Sequence, residues 1–180
     1  MNHQLNFEQR RINWPHRVPS GIIDVKIIKV RQPKNNSWEF LVGQNEFGVK
    51  FEIICSIGTP RIIWLSGPYK GAANDATISQ MSGVKNLLVG ESLLADKSYK
   101  GDRISFITPL FGHRFTLDSG QNAYNYLIYS ARQSIERVIS RLSVFQIFNS
   151  TWHHSFLLLK KCVEICCKLI NLFFIFEPLG

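Results

Sequence analysis

The chain has 180 residues, 45% of them hydrophobic and 19% charged, with a formal net charge of +8. That length accommodates one domain with a substantial core, and the balance of apolar to charged residues excludes an intrinsically disordered chain. The excess of lysine and arginine suits a polyanionic partner such as nucleic acid.

Residues 1–20 are polar and punctuated by proline, and they read as a tail or a truncated edge. The opening MNHQLNFEQRR lacks the apolar stretch of a signal peptide. IIDVKIIKV (22–30) is β-branched and strand-like, RQPKNNS is a loop, and WEFLVGQNE reads as a short irregular strand. VKFEIICSI (49–57) alternates, with Val49, Phe51, Ile53, Cys55 and Ile57 on one face. GTPR then turns the chain into RIIWLSG (61–67), which predicts an antiparallel hairpin. PYKGAAND delivers Asp75 to the start of a short helix, ATISQMSG. SLLAD (92–96) and ISFITPL (104–110) are two further strands, the second closed by Pro109. Over 123–145 the period becomes helical, with Ile128, Ala131, Ile135, Val138, Leu142 and Phe145 on one stripe.

The C-terminal stretch SFLLLKKCVEICCKLINLFFIFEPLG is apolar but interrupted by Lys160, Lys161, Glu164 and Lys168, and its uncharged run 169–176 is too short to span a bilayer. It predicts one or two helices over 156–176, packed on the domain with Leu157, Ile165, Leu169 and Phe173 buried; the alternative is a membrane-associated segment. Cys55, Cys162, Cys166 and Cys167 fit a reduced chain better than a disulfide framework. His153, His154, Cys162 and Cys166 match no common zinc spacing, and buried helical cysteines are the simpler reading. Neither an internal repeat nor a low-complexity tract is present.

Three strands, a helix, two more strands and a long helix predict a mixed α/β fold: a mixed five-stranded sheet flanked by helices, in the order of a ribonuclease-H-like fold. The domain reading is a tail at 1–20, a core at 21–148 and a helical segment at 149–180 packed on that core. Asp24 falls inside the first strand and Asp96 at the end of LLAD. A central strand rarely holds a carboxylate unless it is paired or bound to metal. On the long helix, Tyr129, Arg132, Glu136 and Ser143 share a face next to the apolar stripe. That face either projects Glu136 toward the strand ends or is solvated, with an Arg132–Glu136 pair at i, i+4.

IDVKIIKV, SGPYKGAANDATI, LLADKSYKGD, ITPL and YSARQSIERVISRL occur in this order across 13–148. The ordered set resembles DDE-superfamily endonucleases of the Harbinger transposase-derived type, and YSARQSIE is similar to the Tyr-x2-Arg-x3-Glu part of a signature in related bacterial transposases. The resemblance implies a nuclease core that binds a divalent metal cation, Mg²⁺ or Mn²⁺, and cuts or joins DNA in the nucleus. Carried over residue by residue, it implies Asp24, Asp96 and Glu136 as a catalytic triad, with Asp24, Asp75, Asp96 and Glu136 as metal ligands. Asp75 has a second reading as a helix N-cap. Lys97, Lys100, Arg103, Arg132 and Arg137 are candidate DNA contacts that would position phosphates without reading bases.

The sequence departs from the resemblance in places. DVKIIKV stands where many relatives carry a polar turn after the first aspartate, and Ser143 stands where the bacterial signature carries lysine. Full-length relatives carry an N-terminal helical region that aids DNA recognition, so the chain reads as a fragment, a decayed transposon copy or a protein dependent on a separate DNA-binding partner protein. The leading reading is therefore a metal-dependent DNA endonuclease derived from a transposase. The second is a non-catalytic descendant that binds DNA or protein.

Overall fold

β1 (Gly21–Lys29) is a central strand of a mixed sheet. It pairs antiparallel with β3 (Glu46–Ser56) along its whole length and parallel with β5 (Leu93–Leu94), which pairs in turn with β6 (Phe106–Ile107). The far side of β3 pairs with β4 (Ile62–Lys70), the expected hairpin partner, and with the short β2 (Leu41–Gly43) after a 3-10 turn at Ser37–Phe40. β2 is the short strand expected in WEFLVGQNE, and it joins the sheet, which therefore has six strands and not the five expected. The computed structural model describes residues 19–57, 59, 61–84, 91–99, 106–110 and 117–176. Its mixed, open six-stranded sheet flanked by helices is consistent with the ribonuclease-H-like fold expected from the order of elements.

Apolar cover on both faces explains why β1 reads as a nearly continuous β-branched run. Ile22 and Ile28 join Val49, Phe51, Ile53 and Cys55 in the larger core, which α2 (Ser119–Leu142) and α3 (Phe156–Phe176) close. Ile23 and Ile54 face the other way, into a smaller core with Val84, Leu93, Ala95, Tyr99 and Phe106. On that side α1 (Asp75–Met81) lies against a 3-10 turn at Lys97–Tyr99.

α2 starts at a capping box: Asp118 accepts the Gln121 N–H at 2.7 Å, and the Gln121 side chain accepts the Asp118 N–H at 3.1 Å. Its predicted stripe is buried at Ile128, Ile135, Val138 and Leu142. Ala131 and Phe145 are partly buried against it.

α3 forms as one helix, but it is rotated from the expected orientation. Leu157, Ile165, Leu169 and Phe173 are all exposed, while Leu159, Val163, Cys166, Cys167, Ile170 and Phe174 are buried. The expected set advances in steps of four, which drift about 40° around the helix each time. Because apolar residues occupy most of the circumference, contact with the sheet decides the face. Asn171 fixes that contact: its side-chain amide accepts the Ile62 N–H and donates to the Ile62 carbonyl, both at 2.8 Å, satisfying the free edge of β4. No helix among the described residues is long and apolar enough to cross a membrane. The cysteines are free, with Cys55, Cys166 and Cys167 buried, and burial pushes the Cys167 thiol up to about 12.

Candidate active site

The parallel register of β1 and β5 sets Gly21 beside Leu93 and Ile22 beside Leu94. The pairing ends there, with Asp24 and Asp96 each two residues further along their chains, and the charges of Asp96 and of its partner Arg132 both act on Asp24. Alternation places both aspartates on the side of Ile22 and Leu94, facing the core that α2 closes. Past Leu94 the chain leaves β1: Ala95 donates to the Ile107 carbonyl at 3.0 Å, and Tyr99 donates to the Asp96 carbonyl at 3.0 Å as the 3-10 turn begins. Asp96 therefore sits just past the carboxyl end of β5, where the chain parts from β1. Open α/β sheets bind ligands in such crevices.

Burial raises the pKa of Asp24 above the ordinary carboxylate value. The Val25 N–H, bound to its Oδ1 at 2.8 Å, and the charge of Arg132 lower it, whereas the like charges of Asp96 and Asp75 raise it further. Among the described residues Asp24 has no ion pair.

Its two acidic neighbours each have an internal cation. Arg132 places Nη1 3.3 Å from Asp96 Oδ1, with 10% of its side chain exposed against 48% for Asp96. Asp75 Oδ1 lies 3.1 Å from Lys50 Nζ, which also donates to the Ala73 carbonyl at 2.7 Å. Asp75 is not the helix cap: Asn74 takes that place and accepts the Thr77 N–H at 2.7 Å, because its backbone is extended while Asp75 already begins the helix.

Glu136 lies one turn beyond Arg132 on α2, exposed, and is not among the charges that set the protonation of Asp24. Arg132 turns inward to Asp96; among the described residues it makes no i, i+4 pair with Glu136. Ser143, where the resemblance expects a lysine, accepts a hydrogen bond from Lys26 Nζ at 3.0 Å. Lys97 lines a groove of about 730 Å³ with Asn122, Tyr126 and Tyr129, adjacent to Asp96. Arg137 is exposed on α2. Lys100 and Arg103 lie outside the described residues.

One acidic residue escapes a reading of the sequence. Glu52 is 0% exposed on the smaller-core face, and neither carboxyl oxygen makes a hydrogen bond. Burial lifts its pKa to about 7; Ser82 and Trp64 approach closely enough to pull it down in part, and Asp75 pushes it up. The alternation of VKFEIICSI puts Glu52 on the face opposite Phe51 and Ile53, which looks solvated until α1 and Tyr99 cover it.

Hard carboxylate oxygens are the donors that Mg²⁺ and Mn²⁺ prefer. Asp24 and Asp96, whose like charges act on each other, offer such an ion two carboxylates. Among the described residues, however, no group of three or more His, Cys, Asp or Glu side chains stands close enough to hold a metal. The family model described as DDE superfamily endonuclease matches residues 23–171. No curated protein and no solved structure gives a significant match.

Proposed function

Because the chain belongs to the DDE superfamily endonucleases, we propose that it is a divalent-metal-dependent DNA endonuclease of the Harbinger transposase-derived type, acting by in-line phosphodiester hydrolysis or strand transfer. The observation that supports this reading is that the like charge of Asp96, at the end of the neighbouring strand, acts on Asp24 inside central strand β1. When bound, divalent cations activate a water or a DNA 3′ hydroxyl and stabilise the leaving oxygen. Asp24 and Asp96 supply the rigid oxygen ligands, since one lies inside a central strand and the other at a strand end. Glu136 is the third ligand by the family resemblance alone, since it is exposed on α2 and does not group with the other two, and Asp75 is an outer acidic position that acts on Asp24 through its charge. Lys97, Arg137, Lys100 and Arg103 hold phosphates, and Arg132 orients Asp96. A nuclear location and a separate DNA-binding partner belong to the same reading.

A second reading is favoured by one observation. Arg132 and Lys50 already neutralise Asp96 and Asp75, as in a descendant that keeps the fold and the basic surface without catalysis. Nicking of supercoiled plasmid separates the two. The endonuclease requires Mn²⁺ or Mg²⁺, stops in chelator, and loses activity in Asp24→Asn and Asp96→Asn. Cleavage that survives Asp24→Asn sinks the assignment. DNA binding with no metal-dependent cleavage, even with a partner supplied, establishes the non-catalytic descendant.

A further inference from the structure

The lysines on the strands divide into two kinds. Lys29 pairs with Glu46 at 2.5 Å, Lys50 with Asp75 at 3.1 Å and Lys70 with Glu39 at 2.6 Å. Lys26 differs: its ammonium reaches a neutral hydroxyl, Ser143 Oγ, at 3.0 Å, and it has no ion pair among the described residues. Ser143 Oγ in turn donates to the Ile139 carbonyl at 3.1 Å, so its lone pair is what holds the lysine. An ammonium carries three donors, and the serine takes one.

Position gives that charge a use. Lys26 is two residues after Asp24 on the same face of β1, so both side chains leave the strand toward α2. Two of the polar contacts between that helix and the sheet flank Asp24: Arg132 to Asp96 toward the helix middle, and Ser143 to Lys26 just past its end. Asp24 lies between them on the strand side. A phosphate brought to Asp24 and Asp96 would meet two carboxylates with Arg132 already engaged, and Lys26 is an adjacent cation on the strand side with donors to offer.

We infer that Lys26 is a DNA phosphate contact of the candidate active site, held in place by Ser143. The inference rests on the endonuclease reading for its ligand, but it concerns binding and not cleavage. The competing role is structural, a cation placed favourably at the C-terminal end of α2. It predicts a change in stability and none in DNA affinity.

The test measures binding of a mixed-sequence duplex by fluorescence anisotropy in chelator, across a salt series. Lys26→Gln is expected to bind roughly 3- to 10-fold more weakly, with a slope of log K against log salt shallower by about 0.9, the signature of one lost phosphate contact. Lys26→Arg keeps both values near wild type, and adding Ser143→Lys to Lys26→Gln restores the slope by returning a cation from the helix side. Folded Lys26→Gln with wild-type affinity and slope overturns the inference. Should that variant unfold, Ser143→Glu takes its place, because a carboxylate against Lys26 must weaken binding equally; unchanged binding by Ser143→Glu also overturns it. Wild-type protein that binds but never cleaves removes the endonuclease reading and leaves Lys26 as a contact. Wild-type protein that binds no duplex even at low salt overturns both.

Discussion

Arg132 reaches Asp96 from inside the protein: its Nη1 lies 3.3 Å from Asp96 Oδ1, while its own Nε is buried without a hydrogen-bond partner. The contact is therefore lopsided, a poorly satisfied guanidinium meeting a carboxylate that still sees water. A pair with one exposed member contributes at most about 1 kcal/mol, and burying an unpartnered donor costs a similar amount or more. Arg132→Met is expected to leave stability in urea within about 1 kcal/mol of wild type. It should also tighten Mn²⁺ binding several-fold in calorimetry, since a fixed positive charge no longer opposes the ion beside Asp24 and Asp96. A loss of more than about 3 kcal/mol would show instead that the pair is needed to hold Asp96 in place.

Glu52 carries a pH dependence of defined sign. Its folded pKa, about 7, lies above its ordinary value of 4.5 because burial disfavours the charged form. The folded state thus binds the proton more tightly than the unfolded chain, and stability is lost as pH rises from about 4.5 through about 7. The loss is on the order of 3 kcal/mol once the group ionises. Glu52→Gln is expected to be more stable than wild type at pH 8, with the gap closing at pH 4.5 and below, as measured by denaturant unfolding at both ends. A gap that does not change with pH would show that Glu52 is neutral or solvated throughout.

How much of this was legible in the sequence depends on how many layers decide each feature. The alternation of Val49, Phe51, Ile53 and Cys55 and the helical stripe through Ile135 and Leu142 follow from one contact surface each, and both are buried as the pattern requires. Asp24 stands out because a carboxylate inside a β-branched run has few structural explanations. Its interaction with the charge of Asp96 depends on the pairing of β1 with β5, which no local pattern encodes. The inward turn of Arg132 was not legible, since the same spacing serves an i, i+4 pair with Glu136. Nothing local marks Lys26, between Val25 and Ile27, since its partner Ser143 lies past the end of a helix remote in sequence. Glu52 was hidden because a second helix layer, remote in sequence, removes water from a face that alternation assigns to solvent.

The face of α3 is a matter of orientation alone, so truncation can read it directly. Leu159→Ala and Ile170→Ala remove side chains buried in the larger core and are expected to cost about 2–5 kcal/mol each. Leu157→Ala and Ile165→Ala, at exposed positions, should change stability by no more than about 0.5 kcal/mol. Urea denaturation of the four variants checks the orientation. The reverse ranking would restore the face predicted from steps of four.

Asp24 combines a stability cost with the role assigned to it, and one substitution separates the two. Its pKa is raised chiefly by burial and further by Asp96 and Asp75, so the ionised form is held at the expense of folding. Stability is lost as pH climbs from the ordinary carboxylate value of 3.8 through the raised folded value. Asp24→Asn should therefore melt at a higher temperature than wild type in chelator at pH 7, and the advantage should vanish as the pH falls below 3.8, where the aspartate is protonated in both the folded and the unfolded chain. Metal reverses the ranking. An ion bound only by the folded state adds about 2.7 kcal/mol at one hundred times its Kd, and Asp24 supplies a ligand that asparagine replaces without charge. Saturating Mn²⁺ is expected to raise the Tm of wild type and leave Asp24→Asn nearly unmoved. A lower Tm for Asp24→Asn in chelator would contradict the burial cost. An equal Mn²⁺ shift in both proteins would remove Asp24 from the metal site, because a ligand that can lose its charge without consequence is not holding the ion.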